Sequence, residues 1–137
     1  MSIATGSVSS HERRAGAKDV AICRVEQLYP FPNVALREVL GRYASLTEVA
    51  WVQEEPSNMG AWEFMWPRLE ELIGDRCGLR YIGRARNSSP SEGSSAWHQV
   101  NQKRLVELAF DLDTDMLSPS VVWSKPIRSL ATAAAKK

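Results

Sequence analysis

The chain has 137 residues and a formal net charge of +1; 44% of its residues are hydrophobic and 24% are charged. This length suits one domain with its own core, and no apolar run approaches the ~20 residues that a membrane-spanning helix needs. The near-neutral charge argues against a dedicated nucleic-acid binder, which normally carries a strong basic excess. Composition therefore indicates an ordinary globular protein that binds neither nucleic acid nor a membrane.

Two apolar runs in the first part of the chain predict strands. Ile3–Thr5 predicts a short strand at an edge of a sheet, and Val20–Val25 is rich in β-branched residues, as in a strand covered on both faces. Pro30 and Pro32 end the second run, because proline cannot donate to a strand ladder. Asn33 is a suitable N-cap for a helix, whose apolar stripe comprises Leu36, Val39, Leu40 and Tyr43.

The middle and end of the chain repeat this alternation. Val49–Val52 and Leu79–Ile82 are short buried-strand patterns, and a helical stripe covers Trp62–Ile73 between them. Pro67 lies inside that stripe and predicts a kink or a helix that restarts there. A final helix is expected over Ser95–Phe110, and its predicted inward-facing residues are Trp97, Val100, Leu105, Leu108 and Ala109.

The order of these elements predicts the fold class. Strands that alternate with helices favour an α/β protein, with three α/β/α layers and a mainly parallel sheet of about 4–5 strands. We place this domain at residues 1–115. Residues 116–137 contain four cations (Lys125, Arg128, Lys136 and Lys137) and little apolar surface after Met116 and Leu117. We expect a basic, disordered tail there, because too little burial offsets the entropy of ordering; the alternative is a tail that docks through Trp123.

Polar side chains follow the strand predicted at Val49–Val52. Gln53, Glu54 and Asn58 would lie at the carboxyl end of this strand, where open α/β sheets bind ligands and partners. Glu54 and Glu55 are neighbours and therefore point to opposite faces, which argues against a pair of carboxylates that share a proton. These residues are candidate effector or interface contacts; the alternative is that they cap loop amides and pair with arginines.

A second candidate is an arginine-rich segment. Arg80, Arg84 and Arg86 alternate, so in an extended strand they share one face and could bind phosphate bidentately. The alternative is salt bridging to Glu54, to Glu92 or to another chain. Both uses of the three arginines remain open at this stage.

The remaining reactive residue types have little context. His98 stands beside Trp97 without a second histidine or a cluster of carboxylates, which is typical of a packing or interface residue. Cys23 and Cys77 have neither metal-type nor redox-type spacing. We therefore predict no catalytic, cofactor-binding or metal-ligating residue in this chain, and treat His98 as a candidate interface contact.

Several longer motifs resemble one family. They are Arg24-Val25-Glu26-Gln27-Leu28-Tyr29-Pro30-Phe31-Pro32, Trp51-Val52-Gln53-Glu54-Glu55-Pro56 with Asn58, Gly60, Ala61 and Trp62, Pro67-Arg68-Leu69, Tyr81-Ile82-Gly83-Arg84, Ser89-Pro90 with Gly93, His98, and Ala109-Phe110-Asp111-Leu112-Asp113. In this order they closely resemble the C-terminal domain of 2-oxoglutarate dehydrogenase, the thiamine-dependent first component of its complex. The resemblance covers residues 3–115.

The resemblance implies a transketolase-like C-terminal domain that packs against thiamine-binding domains and contributes to a homodimer. The whole oxidoreductase decarboxylates 2-oxoglutarate in the tricarboxylic acid cycle on thiamine diphosphate and magnesium. It then passes the succinyl group to the lipoyl arm of dihydrolipoyl succinyltransferase. This chain lacks the G-D-G…N segment that holds magnesium and diphosphate in such enzymes. The resemblance thus implies a fragment that is inactive alone, in the cytoplasm of a bacterium or in a mitochondrial matrix.

A hypothesis of a different class is a free-standing module for interaction or effector binding. Some members of the family respond to nucleotides or acetyl-coenzyme A, so the resemblance makes the arginine face a candidate contact for a phosphorylated ligand. Enzyme turnover by the chain alone would contradict the first hypothesis, and an absence of ligand binding would contradict the second.

Overall fold

Five strands form one sheet in the computed structural model, which describes residues 2–5, 19–89, 93–110 and 120–125. Helices connect several of the strands. The elements are β1 (Ser2–Thr5), β2 (Val20–Cys23), α1 (Asn33–Gly41), β3 (Glu48–Pro56), α2 (Trp62–Ile73), β4 (Gly78–Arg84), α3 (Ser95–Phe110) and β5 (Val121–Lys125).

The strand order across the sheet is β2-β1-β3-β4-β5. The first four strands are mutually parallel, and β5 runs antiparallel to β4. This arrangement confirms the predicted α/β class with a mainly parallel sheet. Two placements differ from the prediction: β1 lies inside the sheet between β2 and β3, and β2, with half-buried side chains, forms the edge.

Strand β5 lies within the segment that was expected to be a disordered tail. That expectation is wrong for residues 121–125, which pair with β4 from Val121 opposite Ile82 onwards. Val121 is buried against the sheet, so pairing and apolar burial together offset the cost of ordering. The other residues of the range 116–137, apart from Ser120, lie outside the described residues, and the domain boundary at 115 stays a prediction.

One face of the sheet packs against α1 and α2. Alternate residues of the two central strands point to this side, because successive side chains of a strand face opposite ways. The buried residues of this first core are Leu36, Leu40, Leu46, Val49, Trp51, Trp62, Met65, Leu69, Leu72, Ile73, Cys77, Leu79 and Tyr81. Helix α2 runs through Pro67 as one element, so the predicted restart of the helix at this proline does not occur.

The other face of the sheet packs against α3. The buried residues of this second core are Ala50, Val52, Ile82, Leu105, Ala109 and Val121. Helices on both faces give the three predicted layers. The expected inward stripe of α3 is wrong at its start, since Trp97 and Val100 are 66% and 57% exposed. Only the second half of α3 covers the sheet, with Leu105 and Ala109 buried.

The described residues include no helix that is both long enough and apolar enough to cross a bilayer.

Candidate functional site at the carboxyl edge of the sheet

The carboxyl ends of β3 and β4 meet at one edge of the sheet. The two strands pair regularly as far as Val52 opposite Ile82, and the next pair is Pro56 opposite Arg84. Strand β3 thus carries more residues than β4 over this stretch, which is the property of a bulge. Gln53 and Glu54, which were singled out from the sequence, lie in this irregular segment, where a bulge redirects side chains.

Gln53 organises the loop that follows β3. Its Oε1 atom accepts a hydrogen bond from Trp51 Nε1 at 2.8 Å. Its Nε2 atom donates to the carbonyl oxygen of Met59 at 2.7 Å and lies 3.2 Å from that of Pro56. Gly60 has a φ of 67°, and a Cβ atom there would lie 2.9 Å from Gln53 Nε2. Gln53 is buried and shapes the loop from inside, which leaves its side chain no surface for an external ligand.

Tyr81 holds the same loop from strand β4. Its hydroxyl donates to the carbonyl oxygen of Glu55 at 2.7 Å and lies 3.1 Å from that of Arg84. The ring packs at 5.2 Å from that of Trp62. Burial raises the pKa of Tyr81 above its ordinary value, because the phenolate would lose its hydration. Tyr81 therefore serves as a neutral hydrogen-bond donor, and the sequence analysis did not single it out.

The two glutamates at the end of β3 have separate surroundings. The Glu54 carboxylate accepts a hydrogen bond from Gln102 Nε2 of α3 at 2.8 Å, and the Glu54 carbonyl oxygen accepts one from Arg84 Nε at 2.7 Å. The Glu55 side chain is exposed and lies beside Gly60. The contacts of Glu54 tie β3, β4 and α3 together at this edge.

Asn58 joins the two loops that leave β3 and β4. Its Nδ2 atom donates to the carbonyl oxygen of Asn87 at 2.9 Å, and its Oδ1 atom accepts from the Asn87 backbone N–H at 3.0 Å. The backbone N–H of Ser57 also donates to the carbonyl oxygen of Arg84 at 3.0 Å. The two reciprocal hydrogen bonds between Asn58 and Asn87 fix the distance between the loops.

The three arginines do not form one face. Arg80 is completely buried, and its Nε atom lies 2.6 Å from Oε1 of the buried Glu48. The parallel register places Glu48 opposite Gly78, so Arg80, two residues further along β4, reaches it on the same side of the sheet. The prediction of an exposed face that includes Arg80 is wrong. A charged residue inside the apolar run Leu79–Ile82 was the available signal for a buried ion pair.

Arg84 and Arg86 instead share a cleft with helix α3. The cleft has a volume of about 250 Å³, and it is lined by Arg84, Ala85, Arg86, Asn87, Asn101, Arg104, Leu105 and Ser120. We call this feature the arginine cleft. Arg104 is part of it although sequence reasoning missed it, because only the packing of α3 on β4 brings Arg104 near the end of β4. Three guanidinium groups around one concavity favour an anionic ligand.

His98 lies apart from these residues. It is exposed in the second turn of α3 and lines an open depression of about 460 Å³ with Gln99, Gln102, Lys103 and Val106. The structure therefore brings Glu54, Arg84 and Asn58 to one edge, whereas Arg80 lies in the interior and His98 on the side of α3. Within the described ranges, no three His, Cys, Asp or Glu side chains come together to hold a metal ion.

Comparisons with known proteins agree with the motifs noted in the sequence. The model of the family described as 2-oxoglutarate dehydrogenase C-terminal matches residues 5–110. Relatives named 2-oxoglutarate dehydrogenase E1 component occur in Shouchella clausii, with 58% identity over 87 residues, and in Exiguobacterium, with 49% over 92 residues. Another occurs in Bacillus cereus, with 43% identity over 105 residues.

These matches cover 64%, 67% and 77% of this chain but only 9%, 10% and 11% of the respective relatives. The chain thus spans about a tenth of the length of the curated relatives it matches. The family model, in contrast, extends over most of the described strands and helices. The chain belongs to the 2-oxoglutarate dehydrogenase C-terminal family.

Proposed function

We propose that this chain acts as the C-terminal domain of a 2-oxoglutarate dehydrogenase E1 component and has no catalytic activity by itself. The observation that carries the proposal is the use of the polar groups at the strand ends. Gln53, Tyr81 and Asn58 all donate to backbone carbonyl oxygens of the segments at the ends of β3 and β4. Polar side chains that are committed to backbone partners make this edge rigid, which favours a structural role in a larger protein over a role as a reacting centre.

The cofactor of the parent reaction, thiamine diphosphate, is bound together with a magnesium ion that oxygen ligands hold. The described side chains include no group of three or more His, Cys, Asp or Glu that could hold a metal ion. Decarboxylation of 2-oxoglutarate and succinyl transfer to the dihydrolipoyl succinyltransferase would depend on other domains of the enzyme or on a second subunit. The bacterial relatives favour a cytoplasmic location.

Turnover by the purified chain tests this proposal. We expect no thiamine-diphosphate-dependent oxidation of 2-oxoglutarate, measured with an artificial electron acceptor in the presence of magnesium. The E1 component of Shouchella clausii serves as the positive control in the same assay. Turnover by the chain that requires both 2-oxoglutarate and thiamine diphosphate would contradict the proposal.

The arginine cleft supports a second candidate function, the binding of a phosphorylated effector. Arg84, Arg86 and Arg104 surround it, and Asn87 and Asn101 add amide donors. Charge-assisted bonds from guanidinium groups are the strongest that a phosphate can accept from a side chain. The cleft is small, so it would hold the phosphate portion of a ligand.

Calorimetry with acetyl-coenzyme A and adenine nucleotides tests this candidate. We expect a saturable heat, and Arg86→Gln or Arg104→Gln should weaken binding by about tenfold, since one charge-assisted bond contributes about 1.5–3 kcal/mol. Arg76→Gln, at an exposed position after α2, is the matched control. Equal affinities for the control and the cleft variants, or no heat at all, would exclude the effector function.

A further inference from the structure

The first turns of α3 extend beyond the core. Every residue from Ser95 to Val100 is exposed. Trp97 retains 66% and Val100 57% of its surface in solvent, although both are large apolar side chains. Tryptophan is enriched at protein interfaces, where its ring contributes a large apolar area and its N–H finds a partner. The α3 residues of the second core are Leu105 and Ala109, with Leu108 and Phe110 packed against it, and neither Trp97 nor Val100 belongs to that core.

The exposed residues continue into the arginine cleft along one side of the helix. Trp97, Asn101 and Arg104 are spaced by four and three residues, so they lie one above the other. Asn101 and Arg104 line the cleft. Trp97 therefore lies about one helical turn from a basic concavity. We call Trp97, Val100 and Arg104 the α3 surface.

The charge of this surface indicates the kind of partner it fits. Between Ser95 and Val106 the helix carries Lys103 and Arg104 and no acidic residue. Arg84 and Arg86 add positive charge across the cleft, and the positive end of the helix dipole lies near Trp97 in the first turn of α3. A complementary partner would present apolar side chains flanked by carboxylates.

The length of the relatives indicates where such a partner occurs. The chain corresponds to only 9–11% of each E1 component that it matches. We propose that the α3 surface docks the remaining part of the E1 component, through an apolar segment flanked by carboxylates. This inference rests on the proposed function and adds to it the residues that make the contact.

Co-expression tests the assignment. The probe is the Shouchella clausii E1 component from which the region matching this chain has been deleted, produced in the same cells as the tagged full chain. We expect the two to purify together. Trp97→Ser combined with Val100→Ser should reduce recovery of the probe by at least about tenfold, because a central tryptophan of an interface usually dominates its affinity. Binding should also weaken as the salt concentration rises.

The matched control combines Tyr29→Ser with Val34→Ser, at apolar positions before α1 and in its first turn that are 84% and 73% exposed. These variants should retain the probe, and all variants should melt at the temperature of the unmodified chain, since none removes a buried group. If the Trp97/Val100 variant and the control variant recover equal amounts of the probe, the docking role of the α3 surface is overturned. The proposed function would remain intact. Failure of the unmodified chain to retain the probe would overturn both.

Discussion

The Glu48 carboxylate lies 2.6 Å from the Arg80 guanidinium, and the two side chains are 4% and 0% exposed. Both charged groups have lost their hydration, so each is stabilised by the other on the face of the sheet that packs against α3. The pair also links the starts of β3 and β4 on the α3 side of the sheet. Its role is therefore structural, and the stability of the central strands depends on it.

Removal of one member of this pair should be costly. We expect Glu48→Gln to lower the free energy of unfolding by about 3–5 kcal/mol, because it leaves the buried arginine without its opposite charge. Urea denaturation measures the effect. Glu71→Gln removes an identical charge from an exposed position of α2 and should change stability by less than about 0.5 kcal/mol. Similar losses for both variants would show that the buried pair has no special role.

A close approach of Tyr81 to Gly83 gives a second expectation. The tyrosine hydroxyl and ring occupy the space that a Cβ atom on Gly83 would need. Gly83→Ala should therefore displace the Tyr81 hydroxyl from Glu55 and lower stability by about 1–3 kcal/mol, as overpacking does. Gly41→Ala is the control, since no atom lies near its Cβ position at the end of α1. That variant should be neutral or stabilising by up to about 1 kcal/mol, and a loss of stability there equal to that of Gly83→Ala would contradict this account.

Among the elements, β5 makes an otherwise parallel sheet a mixed one. It pairs antiparallel with β4, while every other neighbouring pair of strands is parallel. Without it, the central strand β4 would become an exposed edge with unpaired backbone groups, which favours aggregation. Val121 also closes one end of the second core.

Truncation isolates the contribution of β5. We expect a chain that ends at residue 119 to melt several degrees lower and to aggregate more readily than a chain that ends at residue 125. The longer variant retains β5 and is the control. Circular dichroism and light scattering during a thermal ramp measure both properties. Identical behaviour of the two chains would mean that β5 contributes nothing to the fold.

For the whole molecule, the two cores share the same two strands. The first core includes Val49 and Trp51 of β3, and the second includes Ala50 and Val52 from the opposite face. Loss of either core would expose one side of β3 and remove the support for the other. We therefore expect the three layers to unfold as one cooperative unit.

A variant in the second core tests this coupling. Leu105→Ala should lower stability by about 2–5 kcal/mol. In a chain whose Trp66, Trp97 and Trp123 are replaced by Phe, fluorescence reports on Trp51 and Trp62 of the first core. Its transition should shift together with that seen by far-ultraviolet circular dichroism. Met65→Ala, in the first core, is the matched control and should shift both signals in the same way. Separate transitions would show that the layers unfold independently.

The predictable part of the fold depends on local patterns. Runs of apolar residues bounded by proline and glycine located β3 and β4, and the stripe from Trp62 to Ile73 located α2. The apolar period does not report how far a helix extends past its sheet, so Trp97 and Val100 were expected inside and lie outside. Strand β5 was not predicted, because the segment after residue 115 is basic and has little apolar surface. A short strand can be stabilised by pairing with its neighbour rather than by its own sequence.

The amino-acid sequence alone determined the α/β class, the family and the position of the polar residues at the end of β3, because these depend on the order and spacing of residues along the chain. Only the tertiary structure decided which of the arginines meet. Alternation along β4 placed Arg80 on a possible common face with Arg84, yet the register with β3 pairs it with Glu48 inside the protein. The packing of α3 brought Arg104 to the cleft instead. Contacts between residues distant in the chain depend on register and layer packing, and no local pattern encodes either.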